Sequence, residues 1–194
     1  MARTESTMMP LGTQAPPFEL KDPEGRVWST ASASEAPGLL VAFLCNHCPF
    51  VIHIGRELGL LTQRWAASGL AVVGINSNDA AAYPDDAPQH MGRTARSFGW
   101  DFPYLVDGDA SVAAAFDARC TPDFFLFDGS GALAYRGRFD AARPGNDVAV
   151  TGSDLRRAVQ SVLEGGAPDE DQFPSMGCSI KWPPGTGPDG GAPS

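Results

Sequence analysis

The chain predicts one α/β domain, a central mixed β-sheet flanked by helices, and three observations carry that prediction. Residues 38–44 (GLLVAFL) and 70–75 (LAVVGI) are apolar runs of strand length, as strands buried on both faces require. Between them Phe50, Ile54, Leu58, Leu61 and Trp65 recur at helical spacing, so the unit is strand, helix, strand with a parallel right-handed crossover. Residues 123–127 and 132–136 alternate around Asp128-Gly129-Ser130-Gly131, a hairpin signal that adds antiparallel strands.

The other elements follow in order. Residues 1–12 read as an N-terminal arm and 13–164 as the domain. Residues 18–20 and 27–29 flank the turn-forming KDPEGR and make a hairpin. Ser68-Gly69 closes the long helix, and 76–88 is a loop rich in Asn, Asp and Pro. A helix over 89–98, a strand over 102–106 and a short helix over 110–116 lead to Thr121-Pro122 and the second hairpin. Thr151 or Ser153 is placed to cap a last helix that ends at Leu163 before Gly165-Gly166. The order is β-β-β-α-β-α-β-α-β-β-α. Residues 165–194 hold 7 Gly and 6 Pro and read as an irregular tail. Its inner part, FPSMGCSIKW, carries enough apolar residues to dock on the domain, leaving the last dozen residues loose.

Composition narrows the function. With 194 residues, 43% of them hydrophobic, the chain supports one core and not two. A net charge of -9 argues against a nucleic-acid footprint or an anionic-membrane binder. No apolar run approaches the roughly 18 residues of a spanning helix, and MARTESTMMPLG lacks a signal peptide's apolar core, so the expected location is cytoplasmic and reducing. Four cysteines, at 45, 48, 120 and 178, are too few and too uneven for a disulfide framework.

The chemistry gathers at Cys45-Asn46-His47-Cys48-Pro49, where the first buried strand gives way to the long helix. Unpaired N–H groups and the positive end of the helix dipole stabilise a thiolate there. Asn46 is the expected N-cap, and Pro49 fits a first turn. The two-residue gap lets one cysteine attack and the other resolve. Cys45 is the expected nucleophile, Cys48 the resolving thiol, and His47, if protonated, would stabilise the thiolate. His53 reads as a structural histidine. Asp79, Asp85 and Asp86 read as a solvated, cap-rich loop.

A strand, a Cys-x-x-Cys at a helix start and a distant Thr121-Pro122 before a hairpin together resemble the thioredoxin-like fold over about residues 10–164. The resemblance implies that Pro122 is cis and that Thr121 and Pro122 form the substrate-binding edge beside the dithiol. The enlarged N-terminal hairpin and the segment between Asn76 and Tyr104 resemble the peroxiredoxin-like (AhpC/TSA, redoxin) branch. So do CNHCP, INSND with YPDD, FPYLVD, CTPDFFLFD and GCSIKW. Two departures matter. A peroxiredoxin's Pro-x-x-x-Thr/Ser-x-x-Cys is matched in neither register, since Val41 and Cys45 precede Cys48 while Gly38 and Ala42 precede Cys45; Arg119 is the candidate for a peroxide-polarising charge. Leu39 stands where thioredoxins carry a buried acid, which leaves proton handling to His47, His53 or water.

The expected activity is therefore a thiol–disulfide oxidoreductase using Cys45 and Cys48, without a bound cofactor or metal. Its partners would be protein or small-molecule disulfides and a thiol reductant. Cys120 and Cys178 are possible additional redox thiols. A thiol peroxidase is the alternative enzyme, and a copper or zinc carrier the alternative outside catalysis.

Overall fold

The computed structural model describes residues 3–188. The ends of the expected arm and tail, 1–2 and 189–194, lie outside the described residues. In chain order the elements are β1 (Arg3–Glu5), β2 (Glu19–Lys21), β3 (Val27–Ser29), β4 (Gly38–Phe43), α1 (Pro49–Ala67) and β5 (Ala71–Asn76). There follow α2 (Pro88–Phe98), β6 (Tyr104–Val106), α3 (Ser111–Ala115), β7 (Cys120–Thr121), β8 (Asp123–Asp128), β9 (Leu133–Gly137), α4 (Ser153–Leu163) and β10 (Met176–Ser179). Seven strands form the main sheet in the order β3-β2-β6-β5-β4-β8-β9. β4, β5 and β6 run parallel and the remaining pairs antiparallel. This is the α/β architecture that the periodicity predicts.

Alternation along β4 divides the core. Leu40, Ala42 and Leu44 pack with Ile54, Leu58 and Leu61 of α1 and Leu155, Val159 and Val162 of α4. Leu39, Val41 and Phe43 pack on the other face with Phe116, Phe125 and Phe127. That second face is covered by short α3 and by non-helical segments, including Ile180 and Trp182 of the tail.

Both expected helix caps are replaced. Cys48, not Asn46, is the N-cap of α1, with Pro49 the first helical residue. Asn46 is turned into the loop, its N–H bonded to Asp86 Oδ1 at 2.7 Å and its side-chain amide to the Asp85 carbonyl at 3.0 Å. Gly152, not Thr151 or Ser153, caps α4. The Asp140 carboxylate accepts the N–H groups of Thr151 and Gly152 at 2.7 Å each, so a distant side chain fixes the turn that enters the helix.

The inner tail is docked. β10 is the middle strand of a second sheet, β1-β10-β7. Arg3 stands opposite Cys178 on one side, and Cys178 opposite Thr121 on the other. These strands of two to four residues are too short to show a period, and their partners are distant in sequence.

α1 and α2 approach closely at Gly59, where a Cβ would lie 2.1 Å from the Phe98 carbonyl oxygen. Gly59→Ala is therefore expected to destabilise the fold by about 1–3 kcal/mol, although alanine is the better helix former by about 1 kcal/mol. Urea unfolding measures it, and a raised midpoint would show that the contact relaxes freely.

Candidate redox site

The β4–β8 register sets Phe43 opposite Asp123, so the chain leaving β4 and the chain entering β8 meet at one end of the sheet. Cys45 Sγ lies 3.2 Å from Thr121 Oγ1, and Cys48 Sγ lies 3.2 Å from the Thr121 carbonyl oxygen. The Thr121–Pro122 peptide is cis. Cys178 Sγ lies 2.9 Å from Cys48 Sγ. Three of the four cysteines and Thr121 thus form one cluster. Cys120 is buried beside it and turns its thiol to the Pro122 carbonyl, 3.7 Å away. The cluster is closed to solvent, with Cys45 1%, Cys48 0% and Cys178 4% exposed.

Asp86, read from sequence as part of a solvated loop, is buried, whereas Asp85 is exposed and Asp79 partly so. Its Oδ1 accepts the Asn46 N–H, and its Oδ2 accepts the Asn78 amide at 2.7 Å and lies 2.7 Å from His47 Nδ1. The His47 ring is parallel to that of Tyr83, with centroids 6.0 Å apart. Asp86 is the residue that sequence reasoning missed. The available signal was three amide or carboxyl side chains, Asn46, Asn78 and Asp86, at strand and loop ends, able to satisfy one another only if buried together. His53 is half-buried on α1, outside this group. Cys45, His47 and Asp86 hold their donor atoms within 4.8 Å of one another, a sulfur, nitrogen and oxygen set that zinc accepts. Both Asp86 oxygens, however, already serve Asn46 and Asn78.

Protonation distinguishes the three clustered sulfurs. With every thiol protonated, Cys48 is placed to donate to Thr121 or to Cys178. Once Cys48 ionises, the Cys178 and Cys45 thiols donate to it, joined by the Val51 N–H at the start of α1, and together they hold it below the usual thiol range against the cost of burial. Burial first, then the hydrogen bond to Cys48 and the Asp86 charge, push Cys45 well up. Its bond to Cys48, then burial, push Cys178 up. These directions favour ionisation at Cys48, which is the N-cap of α1, over Cys45, the residue that the sequence nominates as nucleophile. Arg119 is engaged by Asp117 at 2.7 Å rather than aimed at the sulfurs. No acid replaces Leu39 on β4, but Asp123 on the neighbouring strand is a wholly buried carboxyl that burial pushes well above its usual range.

A mixed sheet, a dithiol at a helix start and a cis proline beside it define a thioredoxin-fold, thiol-based redox protein. Residues 11–136 match the AhpC/TSA family, and the chain belongs to that family. It is similar in structure to a hypothetical protein from Sinorhizobium meliloti, at 48% identity and TM-score 0.91 over 93% of this chain and 98% of that one. It is also similar to an uncharacterized conserved protein from Geobacillus kaustophilus, at 46% identity and TM-score 0.92 over 95% and 98%. A thiol:disulfide interchange protein of the thioredoxin family from Chlorobium tepidum shares the fold at 19% identity, with a TM-score of 0.60 over 78% and 97%. No curated protein matches the sequence significantly.

Because the Asp86 charge opposes ionisation of Cys45, Asp86→Asn is expected to move the pH profile of Cys45 alkylation to lower pH. Mass-resolved iodoacetamide labelling reads this, and an unmoved profile would assign the raised value to burial and Cys48 alone.

Proposed function

We propose that the protein is a thiol–disulfide oxidoreductase that works through a Cys45/Cys48 dithiol–disulfide couple. The observation that carries this reading is the pair of sulfurs at the start of α1, both within 3.2 Å of Thr121 beside cis Pro122. In the proposed cycle the Cys48 thiolate attacks a substrate disulfide and expels one thiolate. Cys45 then attacks Cys48 Sγ and expels the second, leaving the Cys45–Cys48 disulfide and two reduced substrate thiols. A thiol reductant reverses the protein's oxidation. His47, held by Asp86, is the polar group beside the dithiol, and the Thr121-Pro122 backbone, which β10 covers in this structure, is the edge that a substrate would take in its place. The cycle needs no bound cofactor, nucleic acid or membrane, and it suits a reducing cytoplasm.

Burial of the sulfurs favours a second reading, thiol peroxidase, because a small oxidant needs less room than a protein disulfide. Peroxide would convert the Cys48 thiolate to a sulfenic acid and release an alcohol or water, and condensation with Cys45 would release water and form the same disulfide.

Two measurements test the proposal. Titration of the intact protein against glutathione buffers, with thiol trapping and peptide mapping, is expected to give a reversible Cys45–Cys48 disulfide between about −270 and −120 mV. Failure of that pair to form would overturn the couple, and stoichiometric metal in a reduced, chelator-free preparation would favour a carrier instead. The second test is pH. A thiol held below its usual range stays ionised as pH falls, so exchange should drop only severalfold from about pH 8 to about pH 6, where an unperturbed thiol near 8.5 would lose roughly a hundredfold. A hundredfold loss would remove the thiolate from Cys48.

A further inference from the structure

Nothing in the proposed cycle uses β10, yet β10 occupies the edge on which the cycle depends. It runs antiparallel to β7, with Cys178 opposite Thr121 and Ser179 opposite Cys120. β1 pairs along its outer edge. Beyond it the Ile180 N–H donates to the Arg119 carbonyl at 3.0 Å, the Lys181 N–H to Asn78 Oδ1 at 2.8 Å, and the Asp79 N–H to the Lys181 carbonyl at 2.7 Å. The strand passes so close that a Cβ on Gly177 would lie 2.0 Å from the Thr121 carbonyl oxygen and 3.2 Å from the Pro122 nitrogen. The next residue then delivers a sulfur 2.9 Å from Cys48 Sγ, against about 2.0 Å in a disulfide. An extended segment paired by its backbone to a strand edge, presenting one side chain to the reactive group, is how a sheet edge takes a peptide partner. Here the chain supplies that peptide from its own tail.

We infer that β10 is a built-in substrate strand: Cys178 forms the first intramolecular disulfide with Cys48, and Cys45 then takes that disulfide over and releases the strand's thiol. The inference rests on the reading of Cys45 and Cys48 as the redox couple.

The steps balance with a substrate disulfide as oxidant. Cys48 attacks it and expels one thiolate, giving a mixed disulfide. Cys178 gives up its proton to the medium and attacks Cys48 Sγ, expelling the second substrate thiolate and forming Cys48–Cys178. Cys45 attacks Cys48 Sγ, the Cys48–Cys178 bond breaks, and the proton of Cys45 passes to Cys178. One disulfide has formed and one has been reduced. Once Cys48 is bonded to Cys45, the Cys178 thiol no longer faces a free Cys48 sulfur, so the strand loses that contact on oxidation and regains it on reduction.

The test uses full-length Cys45→Ser, which cannot complete the handover, treated with an equimolar amount of oxidised glutathione, then alkylated and mapped. A dominant Cys48–Cys178 link is expected, and adding Cys178→Ser should lengthen the life of the Cys48–glutathione adduct at least about tenfold, since an adjacent thiol acts at high effective concentration. A persistent glutathione adduct with Cys178 still open to alkylation, or a Cys48–Cys120 link, would overturn the inference. Acid-quenched oxidation of the unmodified protein guards against a folding defect: Cys48–Cys178 should appear before Cys45–Cys48, and the reverse order refutes the relay. Gly177→Ala should displace the strand, suppress the Cys48–Cys178 link and leave Cys45–Cys48 able to form. If Cys45–Cys48 titrates reversibly while Cys48–Cys178 is never seen, the inference fails and the oxidoreductase reading stands. If neither pair forms, the oxidoreductase reading fails too.

Discussion

Phe43 faces Asp123 across the β4–β8 ladder, and that register decides what can meet at the site. β4 runs out through Leu44 to Cys45, and β8 is entered through Thr121 and Pro122, so both segments emerge at one end of the sheet. A slip of one residue would exchange the faces of Leu39, Val41 and Phe43 with those of Leu40 and Ala42, and two separate cores forbid it. The hydrophobic alternation that stabilises the domain is therefore also what holds a thiol against the Thr121 hydroxyl.

Burial then sets the chemistry. Removing three sulfurs and a carboxylate from water penalises every charge in the group, so the charges that persist are those with donors aimed at them. Asp86 has the Asn46 N–H and the Asn78 amide. Cys48 has the start of α1 and two neighbouring thiols. Cys45 lies beside both Asp86 and Cys48, and after burial these two neighbours push its thiol further up. In the proposed cycle the roles of two cysteines three residues apart are set by where the donors are rather than by which comes first in the chain.

The parts of this arrangement legible in the sequence are those that local pattern encodes. The runs 38–44 and 70–75, the apolar stripe of α1 and the hairpin around Asp128 and Gly131 each announce their own periodicity. The Cys-x-x-Cys at the strand end and the distant Thr121-Pro122 place the dithiol and its edge. The illegible parts depend on pairing across the chain. Asp86 looks like any loop carboxylate until Asn46 and Asn78 close around it, and Asp140 holds the segment leading into α4 from outside the local sequence. Met176–Ser179, with a glycine at its second position, has no strand signature until β1 and β7 flank it.

The pairing of β1 with β10 joins segments from the two ends of the chain, Arg3 beside Cys178. Contacts of such sequence separation form late, because the loop they close takes in nearly all the described residues. In synthesis from the N-terminus, β4, α1, β7 and β8 can assemble before β10 has been made. The shelter of Cys45 and Cys48 is thus shared between segments far apart in sequence, and a domain without β10 in place would lack the strand that lies against Thr121 and Cys48.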